Sequence, residues 1–247
     1  MHGINFEKEH IFIKLLQMKK LHLLALVALI MLGLSGCEKA TVENIAAADV
    51  FVKAIKNAQG ETVYVSIHSV FSYNKMTSVS VTSPSGTSTS LINYENGGNS
   101  FYNEPADADY LTTQPAVGTY TYTVKFDNGE EKTYTNSLSD SKILPANITS
   151  LTKTANGDSV YIYWDAIANV DFYQIKIQKG TTQILYADGL YDSSSPKKQN
   201  LRMGFLLSNL ISNSSGIYTF EIAGKLYETI AHDYLQALSS STKDITL

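Results

Sequence analysis

Apolar and polar positions alternate with a period of two through most of the chain beyond residue 47. Val63, Val65 and Ile67 alternate with Tyr64, Ser66 and His68; Val160, Ile162 and Trp164 alternate with Tyr161 and Tyr163. This is the period of a strand with one face inward. Both runs are entered through a glycine turn, NAQG ending at Gly60 and ANG ending at Gly157. The two runs also match each other. GETVYVSIHSV at Gly60–Val70 aligns with GDSVYIYWDAI at Gly157–Ile167, 97 positions later. A second pair, GTYTYTVKF from Gly118 and GIYTFEIAG from Gly216, is offset by 98. Tyr120, Tyr122 and Val124 there match Tyr218, Phe220 and Ile222. Two matches at nearly one offset describe two copies of a unit of about 100 residues, a common β-sandwich size. The alignment sets Ile67 opposite Trp164 on the core face and leaves His68 exposed.

The turn signals divide each copy into strands at sandwich spacing. In the first copy the expected strands are 50–55, 62–69, 77–82, 88–93, 118–126 and 130–136, with a weaker region around Phe101 and 110–112. In the second they are 148–153, 159–165, 172–178, 183–187, 200–207, 216–223 and a last strand within 237–247. Asp127-Asn128-Gly129-Glu130 is the strongest hairpin signal in the chain. The expected domains are 47–140 and 145–247, joined only by a polar linker, Leu138–Asn147, that holds Pro145.

The first 46 residues belong to neither copy. Met18-Lys19-Lys20 is a basic start, followed by twelve largely apolar residues, Leu21–Leu32, too short for a span of about 20. Leu34-Ser35-Gly36-Cys37 then presents a leucine, two small residues and the single cysteine of the chain. This resembles the bacterial lipoprotein signal at all four positions of its lipobox. The resemblance implies cleavage before Cys37, a diacylglycerol on its thiol and acylation of its amino group. Several acyl chains, such as palmitate, would then give stable membrane anchoring. On this reading 18–36 is the signal peptide, 37–46 a tether, and 1–17 an upstream extension from a misassigned start.

The second copy resembles the fibronectin type III family. Pro145, the inward Trp164, Tyr173-Gln-Ile175-Lys-Ile177, and Leu210 before Gly216-Ile-Tyr218 occur in family order. The resemblance covers Pro145–Leu247 and departs from the family at the long segment Lys225–Gln236. It implies a tyrosine corner at Tyr218, matched by Tyr120 in the first copy, with the ring in the core and the hydroxyl bonded to nearby backbone. The first copy lacks the tryptophan and is immunoglobulin-like; its Pro84-Ser-Gly86 and Gly118-Thr-Tyr120 resemble bacterial cell-surface sandwich domains. The expected fold class is all-β: two tandem immunoglobulin-like (fibronectin type III-like) antiparallel β-sandwiches after a lipoprotein signal peptide.

Charge and candidate chemistry narrow the function. Beyond Cys37 the chain holds 15 Lys+Arg, among them a single arginine, against 21 Asp+Glu. It has no basic face for nucleic acid. Only His68 and His232 follow Cys37, and no HExxH, P-loop or GxSxG motif occurs. No catalytic residue, metal site or cofactor is expected, and a carboxylate-dependent glycoside hydrolase is the least favoured class. With one cysteine there is no intrachain disulfide.

The densest unusual stretch is YENGGNSFYNEPADADY, Tyr94–Tyr110. It offers Tyr94, Phe101, Tyr102 and Tyr110 as rings, with Glu104, Asp107 and Asp109 as carboxylates that orient hydroxyls. The bland alternative is a crossover whose aromatics cap the core, and a calcium site from Glu104, Asp107 and Asp109 is a third reading. A second candidate is KLYETIAHDY, with Tyr227 and Tyr234 on a helical turn. Asp158-Ser159-Val160 resembles an O-glycosylation acceptor of some Gram-negative lipoproteins. The expected function is a non-catalytic, lipid-anchored binding or adhesion module at the outer membrane, contacting a glycan or envelope protein through sandwich-end loops. The alternative is a structural accessory subunit of a glycan-uptake type complex. Loop-tip apolar surface would favour the first, and an apolar sheet face the second.

Overall fold

The computed structural model describes residues 43–190, 200–210, 215–229 and 233–247. Asn44–Leu247 is one compact unit, and the segment before it is a separate one. Cys37 and the expected signal peptide, 18–36, lie outside the described residues.

The unit is built of strands. The first copy supplies β1 (Ala46–Lys56), β2 (Thr62–Ser72), β3 (Met76–Thr82), β4 (Ser88–Ser90), β5 (Ile92–Asn93), β6 (Ser100–Asn103), β7 (Gly118–Phe126) and β8 (Glu131–Leu138). The second supplies β9 (Ile148–Lys153), β10 (Ser159–Asp165), β11 (Phe172–Lys179), β12 (Thr182–Leu190), β13 (Asn200–Leu206), a short helix α1 (Leu207–Leu210), β14 (Ile217–Tyr227) and β15 (Leu235–Thr246). In the first copy β1-β2-β6-β5 opposes β4-β3-β7-β8; in the second β9-β10-β13 opposes β12-β11-β14-β15. Both are antiparallel sandwiches with the immunoglobulin-like, fibronectin type III-like strand arrangement.

Each sandwich has its own apolar core. Val50, Val52, Val70, Val79, Phe101, Tyr122 and Val124 fill the first; Val160, Ile162, Trp164, Tyr173, Ile175 and Phe220 fill the second. The expected corner is present in the first copy, where the buried Tyr120 donates its hydroxyl to the Ala116 carbonyl at 2.8 Å. The Asn-Gly turn closes β7 onto β8, with Gly129 at φ +86°.

The sandwiches are joined by more than a linker. β1 pairs in parallel with β15, through Val52↔Ala237, Lys53↔Leu238 and Ala54↔Ser239. The result is one eight-stranded sheet, β12-β11-β14-β15-β1-β2-β6-β5, running through both copies. The linker is docked as well. Ile143 and Ala146 enter the second core. The buried Gln236 accepts from the Ser139 amide and turns its own amide to the Ser139 and Ser141 carbonyls. Ser241 Oγ donates to the Ala146 carbonyl at 2.7 Å.

The expected phase of β2 is corrected. Its core-facing residues are His68 and Val70, in step with Val50 and Val52 of β1. Val63 and Ile67 are buried on the opposite face of the sheet. The crossover after β6 returns along the edge of β2, where Leu111 bridges Tyr64 through a reciprocal pair of backbone hydrogen bonds. The offset of 98 keeps β7 and β14 in phase; the offset of 97 is odd and turns every side chain of β2 over. His68 is therefore buried. Its Nε2 lies 3.1 Å from Ser66 Oγ and its Nδ1 3.1 Å from Tyr122 Oη. Tyr122 donates its one proton to the Asp49 carbonyl at 2.8 Å, so His68 carries its proton on Nδ1. Burial lowers the His68 pKa to about 4, which keeps the ring neutral.

The second copy departs from expectation after β14. That strand runs on to Tyr227 and β15 starts at Leu235, so Lys225–Tyr227 is strand where a helical turn was expected. His232 lies outside the described residues.

Candidate functional site

Both cores lie on one side of the eight-stranded sheet, because Val52 of the first core pairs with Ala237 of the second. The other side has no opposing sheet and is shared by both sandwiches; in the first, Phe51, Val63 and Ile67 are buried there beneath neighbouring side chains, and the face opens toward Phe71, Tyr102 and Ile92. Alternation assigns its residues. On β2 these include Phe71, on β6 Tyr102 and on β5 Ile92, which pairs directly with Tyr102. Phe71 is 47% exposed, Tyr73 91%, Ile92 71% and Tyr94 57%. The rings of Phe71 and Tyr73 meet edge to face at 5.2 Å, and those of Tyr94 and Tyr102 at 6.4 Å. Exposed rings so grouped form a platform, an apolar surface edged by hydroxyls.

The turn that carries the platform is held by backbone. Asn99 Nδ2 donates to the carbonyls of Ser72 and Tyr73, at 3.0 and 3.1 Å, and the Asn99 carbonyl accepts the Ser72 amide. Gly98 sits at φ +78° with its carbonyl on the Met76 amide. A Cβ there would stand 2.8 Å from Lys75 Cγ and 2.9 Å from the Met76 carbonyl oxygen. Only glycine lets this loop lie so close to β3.

The expected site residues separate into inward and outward sets. Phe101 is buried in the first core and Tyr110 is buried beside Lys53, so neither ring is presented as a platform. Tyr94 and Tyr102 are on the open face. Glu104 is engaged three ways: it pairs with Lys53, accepts the Tyr102 hydroxyl at 2.7 Å and accepts the Tyr110 hydroxyl at 3.2 Å. Partial burial alone would raise its pKa, but the Lys53 and tyrosine hydrogen bonds outweigh this and hold it below the usual range. Burial and the same carboxylate push the Tyr102 and Tyr110 hydroxyls well above the usual tyrosine range.

Asp107 and Asp109 lie exposed on a 3-10 turn, Asp107–Asp109. Among the described residues no three His, Cys, Asp or Glu side chains converge as a metal site, and the Glu104 carboxylate is occupied by its three partners. Tyr227 packs against Phe172, ring centroids 6.1 Å apart, and Tyr234 ends the loop before β15 with its carbonyl on the Glu228 amide. Phe71, Tyr73 and Ile92 were missed from sequence. The signal was there, since Phe71 and Tyr73 continue the alternation of β2 past its expected end.

A shallow cleft of about 420 Å³ opens at the linker, lined by residues that include Leu144, Pro145, Asp165 and Asn169. Asn147 Nδ2 donates to Asp165 Oδ2 across it at 2.8 Å. It contains no His, Cys or Ser.

No protein-family model matches the chain, and no curated protein matches it. Among solved structures the chain is similar to a two-domain fibronectin type III segment of chicken tenascin. The identity is 15%, with 83% of this chain and 100% of that one covered, at a TM-score of 0.29. It is also similar to a protein of Bacteroides uniformis provisionally described as carbohydrate binding, at 11% identity, 81% and 99% coverage and a TM-score of 0.35. A tetra-tandem repeat from the extending region of a large adhesion protein is 15% identical, with 81% and 50% coverage and a TM-score of 0.29.

Proposed function

We propose that this chain is a non-catalytic envelope protein, anchored in the outer membrane by lipid on Cys37, whose open sheet face binds a glycan. The observation that carries the reading is the exposed group Phe71, Tyr73, Ile92 and Tyr94 beside Tyr102, on a face with no opposing sheet. Flat rings present apolar surface to the C–H faces of a sugar, and the Tyr102–Glu104–Lys53 cluster supplies donors and acceptors for its hydroxyls. The contact surface is thus a sheet face in place of the loop tips expected from sequence. That placement also suits the accessory-subunit reading, in which the face docks on a protein of a glycan-uptake complex.

The test is binding of the purified full chain, in detergent, to an array of neutral and anionic glycans, beside Tyr94→Ala and Tyr102→Ala variants. Binding that both variants weaken supports the glycan reading. A folded protein that binds no glycan, yet cross-links through this face to one envelope protein, supports the subunit reading and overturns the first.

A further inference from the structure

The open face does not stop at the first sandwich. Register carries one row of residues straight across the seam. Phe172 pairs with Lys225, Lys225 with Leu238, and Leu238 with Lys53. Lys225 and Lys53 are therefore on the same face two strand spacings apart, about 10 Å.

Each of these lysines centres a cluster of the same make. Lys53 pairs with Glu104, which accepts the Tyr102 and Tyr110 hydroxyls. Lys225 pairs with Asp188, which accepts the Tyr186 hydroxyl at 3.1 Å and the Gly189 amide at 2.8 Å. Burial alone would raise the Asp188 pKa; the Lys225 and Gly189 bonds hold it low. Tyr186 is 50% exposed, and the Phe172–Tyr227 ring pair lies beside Lys225. The second sandwich so repeats the lysine, the carboxylate, the tyrosine hydroxyl and the flanking rings of the first.

The three strand lysines on this face say what kind of ligand it takes. Lys53 is matched by Glu104, Lys225 by Asp188, and Lys176 by Glu221. An anionic partner would have to break one of these pairs to gain another, with Asp49 and Glu228 close by to repel it, and the net return is small. A neutral ligand keeps all three and uses what the pairs leave over: ammonium hydrogens, carboxylate lone pairs and tyrosine oxygens. Hydroxyl groups that both donate and accept fit that set.

We infer that the seam between the sandwiches is a composite binding site, with a second recognition cluster at Tyr186, Asp188, Lys225 and Phe172, for a neutral oligosaccharide long enough to cross from β14 to β1. This rests on the glycan reading above and assigns it a length and a charge. Each strand is rotated from the last by about 20–25°, so the surface under the ligand turns by roughly 40–50° about the line of crossing over the two spacings.

The experiment measures affinity of the full chain in detergent for a ladder of neutral oligosaccharides, two to ten units, drawn from the glycan that scores highest on the array. Three variants accompany it: Tyr186→Ala, Tyr186→Phe and Tyr102→Ala, each checked for an unchanged melting temperature. Affinity is expected to rise steeply once the ligand spans both clusters. Tyr186→Ala should lower long-chain affinity at least tenfold and leave the shortest ligand unaffected. Tyr186→Phe, which keeps the ring, should lose two- to fivefold, and Tyr102→Ala should weaken all lengths. If Tyr186→Ala binds long chains as the wild type does while Tyr102→Ala loses binding, the composite site is wrong and the glycan reading stands. If no glycan of either charge binds, or neither variant weakens binding, both are wrong. A best ligand that is anionic overturns the charge argument.

Discussion

Two desolvated titratable groups of the first sandwich, the partly buried Asp49 at the seam and the buried His68 against its core, should make opposite, nearly equal and separable contributions to stability. Asp49 lies on β1, where its Oδ2 accepts the Leu235 amide at 3.3 Å. Burial raises its pKa from 3.8 to about 6, the Leu235 bond pulls it partly back, and the nearby Glu228 charge adds to the rise. The folded protein holds that proton more tightly than the unfolded chain. Asp49's contribution is thus complete below pH 3.8 and is lost as pH rises through 6. His68 runs the other way. Its pKa falls from 6.5 to about 4, so its contribution is complete above pH 6.5 and is lost as pH falls through 4. Each shift is two units or a little more, roughly 3 kcal/mol apiece at 1.36 kcal/mol per unit. Between pH 7 and pH 4 the two offset each other. Asp49→Asn keeps the acceptor for Leu235 and removes the charge; it should leave the His68 slope exposed and unfold more readily by about 3 kcal/mol at pH 4 than at pH 7. His68→Phe should do the reverse. Urea unfolding followed by far-UV circular dichroism at half-unit steps gives both profiles, read as differences from wild type. If the Asp49→Asn difference is the same at pH 4.5 and 7.5, Asp49 is not desolvated at the seam and the reasoning fails.

Trp164→Ala should cost about 3–5 kcal/mol through the cavity it leaves in the second core. Hydrogen exchange should show lost protection across 148–247 and at the β1 edge that pairs with β15, while β3 and β7 keep theirs. Gly98→Ala should cost about 1–3 kcal/mol, from a positive φ and the contact with Lys75 and Met76, and a thermal melt will show it. Tyr120→Phe should cost about 1 kcal/mol by removing the corner bond to Ala116, measured by the same melt. Cys37→Ser should abolish incorporation of labelled fatty acid; continued labelling would refute lipidation at that residue.

Local pattern gave much of the architecture. β7, β9 and β10 run between the residues that alternation and turn signals name, because each is a one-sided strand bounded by glycine or a polar turn. What failed had non-local causes. β2 carries buried residues on both faces, His68 and Val70 on one and Val63 and Ile67 on the other, and the crossover that pairs alongside it at the Tyr64–Leu111 bridge comes from 47 residues later; two-sided burial erases the phase that alternation reports. The pairing of β1 with β15 carries no local signal, since both strands read as ordinary edges. The candidate stretch Tyr94–Tyr110 was half legible: composition marked its rings, but could not say that Phe101 and Tyr110 turn inward while Tyr94 stays out. Lys53 and Tyr186 were not among the expected site residues, and Lys225 stood only as the first residue of KLYETIAHDY, as each has a partner on or next to another strand.

The pairing of the first strand with the last has a consequence for how the protein is made. The Asp49–Leu235 contact joins residues 186 apart, so a chain emerging from its N-terminus cannot close the seam until its final strand has arrived. Until then the β1 edge offers unpaired amides and carbonyls to any passing strand. Synthesis interrupted before Leu235 would leave a first sandwich with that edge open, a template for joining copies to one another. The pairing of β15 with β1 is thus the chain's own guard against assembling with its siblings.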